Sequence, residues 1–234
     1  MPKAIKKRTK KKDIAVEAEV QDRISDIKEM MQKKQKAVIT YGGAAVVVVL
    51  VIAGLLFVRY NNREKARQLA DQAYSLYYNE NREAPQQRKE QLAKAADLFN
   101  QAYNTHKSPR LLLYLANSYA EGEKLDDAVT TLNLFIRNYA SEKKLLPIAY
   151  QQLANVQVMR GNKADALKTL DTLYKSSGNI FKDLALIETA RLLESEGKKD
   201  EATAKYKELV EKFSASPYAD EARAKLGTVE KKEG

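Results

Sequence analysis

The chain has 234 residues, of which 44% are hydrophobic, and its 41 lysine and arginine residues outnumber its 31 aspartate and glutamate residues. It contains no cysteine and one histidine, which excludes disulfide frameworks, thiolate nucleophiles, cysteine zinc sites and histidine pairs for a metal. Residues 1–36 hold 12 basic and six acidic side chains, against 29 and 25 in the remainder. The composition therefore indicates one domain of ordinary size with appendages, and the mildly basic remainder does not indicate nucleic-acid binding.

Residues 1–36 are expected to form a basic tail. The first twelve residues contain seven basic side chains and no acidic one. Further along, four apolar residues at intervals of four, three and four predict a short amphipathic helix; these are Val20, Ile24, Ile27 and Met31. Such a tail either lies on anionic lipid or binds a partner, and the stripe is too short to indicate a coiled coil.

Residues 37–58 are predicted to cross a membrane. This segment has 22 residues without a charge and is flanked by Lys36 and Arg59. As a helix it would be about 33 Å long, close to the hydrocarbon thickness of a bilayer, whereas a buried strand would be much shorter. A cleaved signal peptide would have a shorter basic region ahead of it and a small-residue cleavage site behind it. The segment is therefore expected to be an uncleaved transmembrane helix.

The orientation of this helix is predicted from the whole tail. Basic residues close to the two ends of the segment are similar in number, so the local charge rule decides little. The seven basic residues at the start indicate the orientation more strongly, because the membrane potential opposes their transfer across the membrane. We therefore expect the tail on the cytoplasmic side and the large domain on the opposite side.

The remaining residues, 59–228, contain an internal repeat. The segments YLANSYAEGEKLDDAVTTLNLF, QLANVQVMRGNKADALKTLDTL and ETARLLESEGKKDEATAKYKEL align with one another. Each holds two alanines twelve residues apart with a glycine between them: Ala116, Gly122 and Ala128, then Ala154, Gly161 and Ala166, then Ala190, Gly197 and Ala202. A fainter leading copy contains Ala95, Phe99 and Ala102. Small residues facing each other let two antiparallel helices cross closely, so each copy is predicted to be a helix pair.

This pattern is that of the tetratricopeptide repeat. The predicted fold is all-α: the N-terminal transmembrane helix, a right-handed α-solenoid of about four divergent tetratricopeptide units, and a C-terminal capping helix. The capping helix is expected to have Ser216 as its N-cap and Pro217 at its first helical position. Residues 79–90 are expected to form an inserted loop, and residues 229–234 a disordered end.

The first helices of the units are expected to line a groove that binds protein, because a repeat solenoid offers an extended surface. Aliphatic side chains together with amides suit an extended or partly unfolded segment. For each residue, ordinary packing between units is the alternative. The predicted groove residues are Arg110, Leu113, Asn117, Ile148, Gln151, Asn155, Val158, Met159, Leu184, Ile187 and Arg191.

The chain is expected not to be an enzyme and to need no cofactor or metal. No glycine-rich phosphate loop, nucleophile elbow or metal motif occurs in the sequence. Acidic pairs such as Asp126 with Asp127 fall at predicted helix starts, where they complement the helix dipole. The single histidine, His106, is expected to be a solvated turn residue.

With an anchor ahead of its repeats, the chain resembles a bacterial family, the single-span tetratricopeptide ancillary subunit of the Sec translocon. The likeness covers roughly residues 36–209 and is best in LANVQVMRGNKADALKTLDTL and DLALIETARLLESEGKKDEA. It implies a single-pass protein of the bacterial inner membrane with a cytoplasmic N-terminus and a periplasmic repeat domain. The implied partners are translocon subunits, a membrane-anchored periplasmic chaperone and extended segments of translocated proteins.

Two other functions stay open. Adaptors of cell-envelope or cell-division assemblies use similar repeats, and an organellar receptor with cytosolic repeats would need the opposite topology. The lysine-rich tail, the insert at 79–90 and the capping helix depart from the family and leave the partner open. The oligomeric state also stays open, because Gly42, Gly43 and Gly54 form no clean small-residue face.

Overall fold

The computed structural model of the chain describes residues 10–79, 85–176 and 181–233, with side chains described between residues 19 and 227 of those ranges. Its helices are α1 (Lys10–Tyr77), α2 (Pro85–Thr105), α3 (Pro109–Glu121), α4 (Leu125–Asn138), α5 (Leu146–Met159), α6 (Lys163–Ser176), α7 (Lys182–Ser195), α8 (Lys199–Lys212) and α9 (Ala219–Glu233). The chain divides into two parts between Asn61 and Asn62. We call residues 62–234 the repeat domain.

Helix α1 combines three segments that the sequence predicted separately: the tail helix, the transmembrane helix and the first helix of the repeats. No break occurs after residue 58, because Arg59, Tyr60 and Asn61 include neither glycine nor proline. The side chains of residues 19–61 are exposed. By length and composition, α1 is the one helix of the described residues that can cross a membrane.

The repeat domain consists of four helix pairs and a single final helix. The pairs are residues 62–77 of α1 with α2, then α3 with α4, α5 with α6, and α7 with α8. From α2 to α9, each helix packs against the next one in the chain. This arrangement confirms the predicted all-α solenoid of about four units followed by a capping helix.

The paired alanines lie in the core, where the two helices of a pair meet. All six are at most 2% exposed, and the two members of each pair belong to the same core cluster. A methyl side chain lets the two helix axes approach closely, so larger side chains are needed only away from the crossing. Those that fill the remaining space include Leu112, Leu132, Phe135, Leu173 and Leu209.

The turns within the pairs follow the predicted glycines with one difference. Gly161 and Gly197 have φ angles of 81° and 76°, which a residue without a Cβ adopts at little cost. Gly122 has a φ of −79°, and the left-handed conformation falls instead on Glu123, with a φ of 61°. All three turns have three residues between their helices, but Gly122 stands six residues before the buried Ala128. Glu123 stands five residues before it, the same distance that separates Gly161 and Gly197 from their own alanines.

The predicted loop at 79–90 is wrong in its second half, because α2 begins at Pro85. Proline is favoured at the first helical position, where its missing N–H would have no helical partner. Arg88 then donates hydrogen bonds to the Tyr77 carbonyl oxygen at 2.9 Å and to Glu121 Oε2 at 3.0 Å. These bonds join the first turn of α2 to the end of α1 and to α3.

Helix α9 begins at Ala219, two residues after the predicted start. Ser216 Oγ still accepts a hydrogen bond from the Tyr218 N–H at 3.2 Å, as an N-cap does, and donates to Asp183 Oδ2 at 2.6 Å. The helix continues to Glu233, whereas the sequence predicted disorder from residue 229. Residues 228–233 contain neither glycine nor proline to end it.

Candidate protein-binding surface

The first helix of each pair contributes to one surface, which we call the first-helix surface: residues 62–77 of α1, α3, α5 and α7. Two open grooves lie on it. The first groove has a volume of about 420 Å³ and is lined by Tyr77, Tyr78, Arg110, Leu113, Tyr114, Asn117, Leu145, Ile148 and Gln152. The second groove has a volume of about 280 Å³ and is lined by Ala154, Asn155, Val158, Leu170, Glu188, Arg191, Leu192 and Ser195.

One wall of the first groove is aromatic, and we call it the tyrosine wall: Tyr77, Tyr78 and Tyr114. Tyr74 and Phe99 pack against it. The ring of Tyr114 packs edge to face on Tyr74, with 4.7 Å between centroids, and stacks on Phe99 at 5.6 Å. A hydrogen bond of 2.9 Å joins the hydroxyls of Tyr78 and Tyr114. Aromatic side chains held in this way have few rotamers left to lose when a partner binds.

The phenols of Tyr77 and Tyr78 are neutral at physiological pH, because the pKa of each is raised. Burial and a hydrogen bond to Glu121 raise the pKa of Tyr77 above its ordinary value. The hydrogen bond with Tyr114 raises the pKa of Tyr78 to about 12. The wall therefore offers apolar faces and hydroxyl groups to a partner, and the charge of the groove comes from other residues.

The second groove contains a paired charge. Arg191 donates to Glu221 of α9 through Nε at 2.9 Å and through Nη2 at 2.6 Å, and to Glu188 through Nη1 at 2.8 Å. The hydrogen bond between Arg191 and Glu221 raises the pKa of Arg191 above the ordinary value for arginine. The same bond lowers the pKa of Glu221 below the ordinary value for glutamate. Because α9 supplies Glu221, the capping helix fixes the side chain that lines this groove.

Nine of the eleven predicted groove residues fall into three environments. Four of them line the first groove, namely Arg110, Leu113, Asn117 and Ile148. Three line the second groove, namely Asn155, Val158 and Arg191. Gln151 and Met159 line neither groove, although Met159 is 56% exposed.

Leu184 and Ile187 differ from the expectation that they face the groove. They are 8% and 0% exposed and belong to the core cluster that also contains Ala219 and Ala222 of α9. The capping helix adds a neighbour to the last pair, so this face of α7 is packed within the protein. For these two residues the structure agrees with ordinary packing.

Several lining residues were missed by the sequence prediction, most importantly Tyr77, Tyr78, Tyr114 and Gln152. The cluster YSLYY at the end of the first repeat helix was the available signal, because exposed aromatic runs are uncommon away from binding surfaces. Gln152 gave no such signal. Its Oε1 atom is buried without a hydrogen-bond partner among the described residues.

Both grooves are lined by apolar side chains, amides and one arginine each; the first groove adds tyrosine hydroxyls, and the second adds Glu188 and Ser195. Within the described ranges no group of three or more histidine, aspartate or glutamate residues is placed to hold a metal ion. His106 is exposed.

Comparison with known proteins gives a family and similar solved structures, of which two are described. The family model described as "tetratricopeptide repeat-like domain" matches residues 32–231. No curated protein matches the chain. The chain is similar to the solved structure titled "Crystal structure of MamA", at 19% identity and a TM-score of 0.47, covering 64% of this chain and 82% of that one. A second, titled "Crystal structure of MamA protein", has 18% identity and a TM-score of 0.49, covering 70% and 80%.

Proposed function

The chain belongs to the tetratricopeptide repeat-like domain family, and on that premise we propose that it is a membrane-anchored scaffold that binds extended segments of other proteins on its first-helix surface. Such repeats are typically interaction scaffolds without catalytic activity. The proposal concerns the site, because the fold alone does not decide the function.

One observation carries the proposal. Among the described residues of the repeat domain, the large hydrophobic side chains that are exposed are Tyr78, Val158 and Met159. Tyr78 lines the first groove, Val158 lines the second, and Met159 follows at the end of α5. Exposed apolar side chains beside polar ones are typical of surfaces that bind proteins. Here Val158 and Met159 lie on the first helix α5, and Tyr78 directly follows α1.

The compartment and the partner form the finer part of the proposal. The apolar segment 37–58 anchors the protein in the bacterial inner membrane, with the basic tail in the cytoplasm and the repeat domain in the periplasm. There the first-helix surface receives translocon subunits, a membrane-anchored chaperone or polypeptides leaving the translocon. The charge of the tail and the resemblance of the repeats support this assignment.

Site-specific crosslinking in cells tests the proposal. A photoreactive residue is placed at Asn117 or Asn155, one in each groove, and at Asn133 as the control, because Asn133 is exposed on the second helix α4. We expect adducts with translocon subunits, the chaperone or translocating chains from the two groove positions only. Adducts with only cell-wall or division proteins would support the adaptor function instead. Equal adducts from all three positions would contradict binding on the first-helix surface.

A further inference from the structure

The two grooves differ in charge. Arg110 lines the first groove, is exposed, and makes no ion pair or hydrogen bond with the described residues. The residues that line this groove include no aspartate or glutamate. In the second groove, Arg191 is already paired with Glu188 and Glu221, and Glu188 lines the groove beside it. The first groove therefore contains an unpaired positive charge that can bind an anion. Among its described lining residues, the second groove contains no unpaired positive charge.

The first groove also contains an acceptor without a donor. Gln152 lines it, and Gln152 Oε1 is buried with no hydrogen-bond partner among the described residues. Buried polar atoms are nearly always satisfied, so a rotation of this side chain towards the groove, where a ligand N–H can bond to Oε1, would pair an atom that is otherwise unpaired. The half-buried amide of Asn117 lines the same groove and can donate or accept. An extended polypeptide offers N–H and C=O groups in a row, which matches this pair of amides.

The remaining lining is apolar. Leu113, Leu145 and Ile148 supply aliphatic side chains, and Tyr77, Tyr78 and Tyr114 supply aromatic ones. These surfaces suit an aliphatic or aromatic side chain of the ligand, whereas the amides suit its backbone and Arg110 suits a carboxylate.

We propose that the first groove selects extended segments that carry an internal aspartate or glutamate beside a hydrophobic residue, with Arg110 as the partner of the side-chain carboxylate. The inference rests on the proposed function, because it specifies the ligand of that surface. It distinguishes the two grooves, since the second has no free charge to discriminate acidic from neutral segments. Arg110 is thus a specificity residue for charge, and the tyrosine wall receives the neighbouring side chain.

Peptide binding to the full chain in detergent micelles tests this inference. The probes are fluorescent peptides, blocked at both ends, with a core of phenylalanine, aspartate and leucine between glycine and serine residues. In a second peptide asparagine replaces the aspartate, and in a third serine replaces both hydrophobic residues. A fourth peptide has the asparagine core and a free C-terminal carboxylate. Fluorescence anisotropy gives the dissociation constants.

For the wild-type chain we expect the aspartate peptide to bind about tenfold more tightly than the asparagine peptide at low salt, with the difference shrinking as salt is added. In Arg110→Gln the two peptides should bind equally, and in Arg110→Lys a preference should remain. Arg137→Gln is the matched control, because Arg137 is exposed on the second helix α4. It should keep the wild-type preference. Circular dichroism confirms that each variant is folded.

The peptide measurements distinguish a failure of this inference from a failure of the proposed function. If the hydrophobic peptides bind the wild-type chain but asparagine is as good as aspartate, the inference is overturned and the proposed function stands. If the free C-terminal carboxylate replaces the aspartate fully through Arg110, the assignment to an internal side chain is overturned. If no peptide binds the wild-type chain, both the proposed function and the inference fail.

Discussion

Glu123 has a backbone conformation that side chains with a Cβ rarely adopt. It is the non-glycine residue with a positive φ, at a turn where the two later pairs have glycine. A Cβ in the left-handed region costs about 1–2 kcal/mol because it approaches the following carbonyl oxygen. The side chain of Glu123 forms an ion pair between the turn and α2, because Lys89 Nζ donates a hydrogen bond to Glu123 Oε2 at 2.6 Å. This exposed ion pair offsets part of the strain.

Replacing Glu123 therefore separates the two effects. Glu123→Ala removes the ion pair and keeps the Cβ, whereas Glu123→Gly removes both. We expect the glycine variant to be more stable than the alanine variant by about 1 kcal/mol. The reverse change, Gly161→Ala, should destabilise the chain by a similar amount. Thermal unfolding followed by circular dichroism measures both, and an alanine variant as stable as the glycine variant would show that Glu123 is unstrained.

Glu208 makes part of the stability depend on pH. It accepts a hydrogen bond from the Tyr174 hydroxyl at 2.8 Å, which ties α6 to α8, and one from Lys212 Nζ of its own helix at 2.8 Å. Burial would raise the pKa of Glu208, but the bonds from Lys212, Tyr174 and Lys205 outweigh it and lower the pKa from 4.5 to about 2. Because the pKa is lower in the folded than in the unfolded chain, the carboxylate stabilises the fold above about pH 4.5.

That stabilisation should be lost as the pH falls from 4.5 towards about 2. We expect Glu208→Gln to destabilise the chain by about 1 kcal/mol at neutral pH and to approach the wild type at the acidic end. The matched control is Glu211→Gln, an exposed glutamate on the same helix. Midpoints of thermal unfolding across this pH range provide the measurement. A difference between Glu208→Gln and wild type that does not change with pH would contradict the pairing.

At the scale of the helix pair, the alanine crossings are the features that tolerate least change. Ala166 is fully buried on α6, and Ala164, two residues earlier, is exposed. Ala166→Leu should force α5 and α6 apart and cost about 1–3 kcal/mol, which lowers the unfolding midpoint by about 3–10 °C. Ala164→Leu should change the midpoint by less than about 2 °C. Equal midpoints for the two leucine variants would mean that the crossing can adapt.

The final helix is expected to matter for solubility as well as stability. Ala219 and Ala222 of α9 are buried in one core cluster with Ile187 and Leu209, so removing α9 would expose that cluster. Deletion of residues 214–234 should lower the unfolding midpoint and promote aggregation, because terminal repeats need a polar outer face. Deletion of residues 228–234 alone is the control and should leave both unchanged. Static light scattering during heating measures the two effects together.

The helix pairs could be predicted from the sequence more accurately than the residues that line the grooves. A helix crossing requires small residues at a fixed spacing within one pair, so Ala154 and Ala166 could be recognised from local sequence. The tyrosine wall depends on contacts between pairs, such as Tyr78 with Tyr114, which are 36 residues apart. How successive pairs stack decides which side chains meet, and the local pattern does not specify it. The burial of Ile187 has the same origin, because its neighbours include a helix outside the repeat pattern.

At the scale of the whole molecule, the central prediction concerns which side of the membrane each part occupies. The chain contains no cysteine, so single-cysteine variants report one position each. Asn133→Cys lies on the exposed face of α4, and Ser25→Cys lies in the exposed tail part of α1. In intact bacteria with a permeabilised outer membrane, an impermeant maleimide should label the first variant and not the second. Lysis should make both reactive, and labelling of Ser25→Cys alone in intact cells would reverse the topology.

The order in which the helices pack also bears on how the protein is made. From α2 onwards each helix packs against its neighbour in the chain, so native contacts join residues that are close in sequence. Such low contact order allows rapid folding, and an early pair can form before later pairs have been synthesised. If the repeat domain is delivered N-terminus first, its first pair can take shape while the last is still in transit. We expect α9 to close the structure only after the whole chain has arrived.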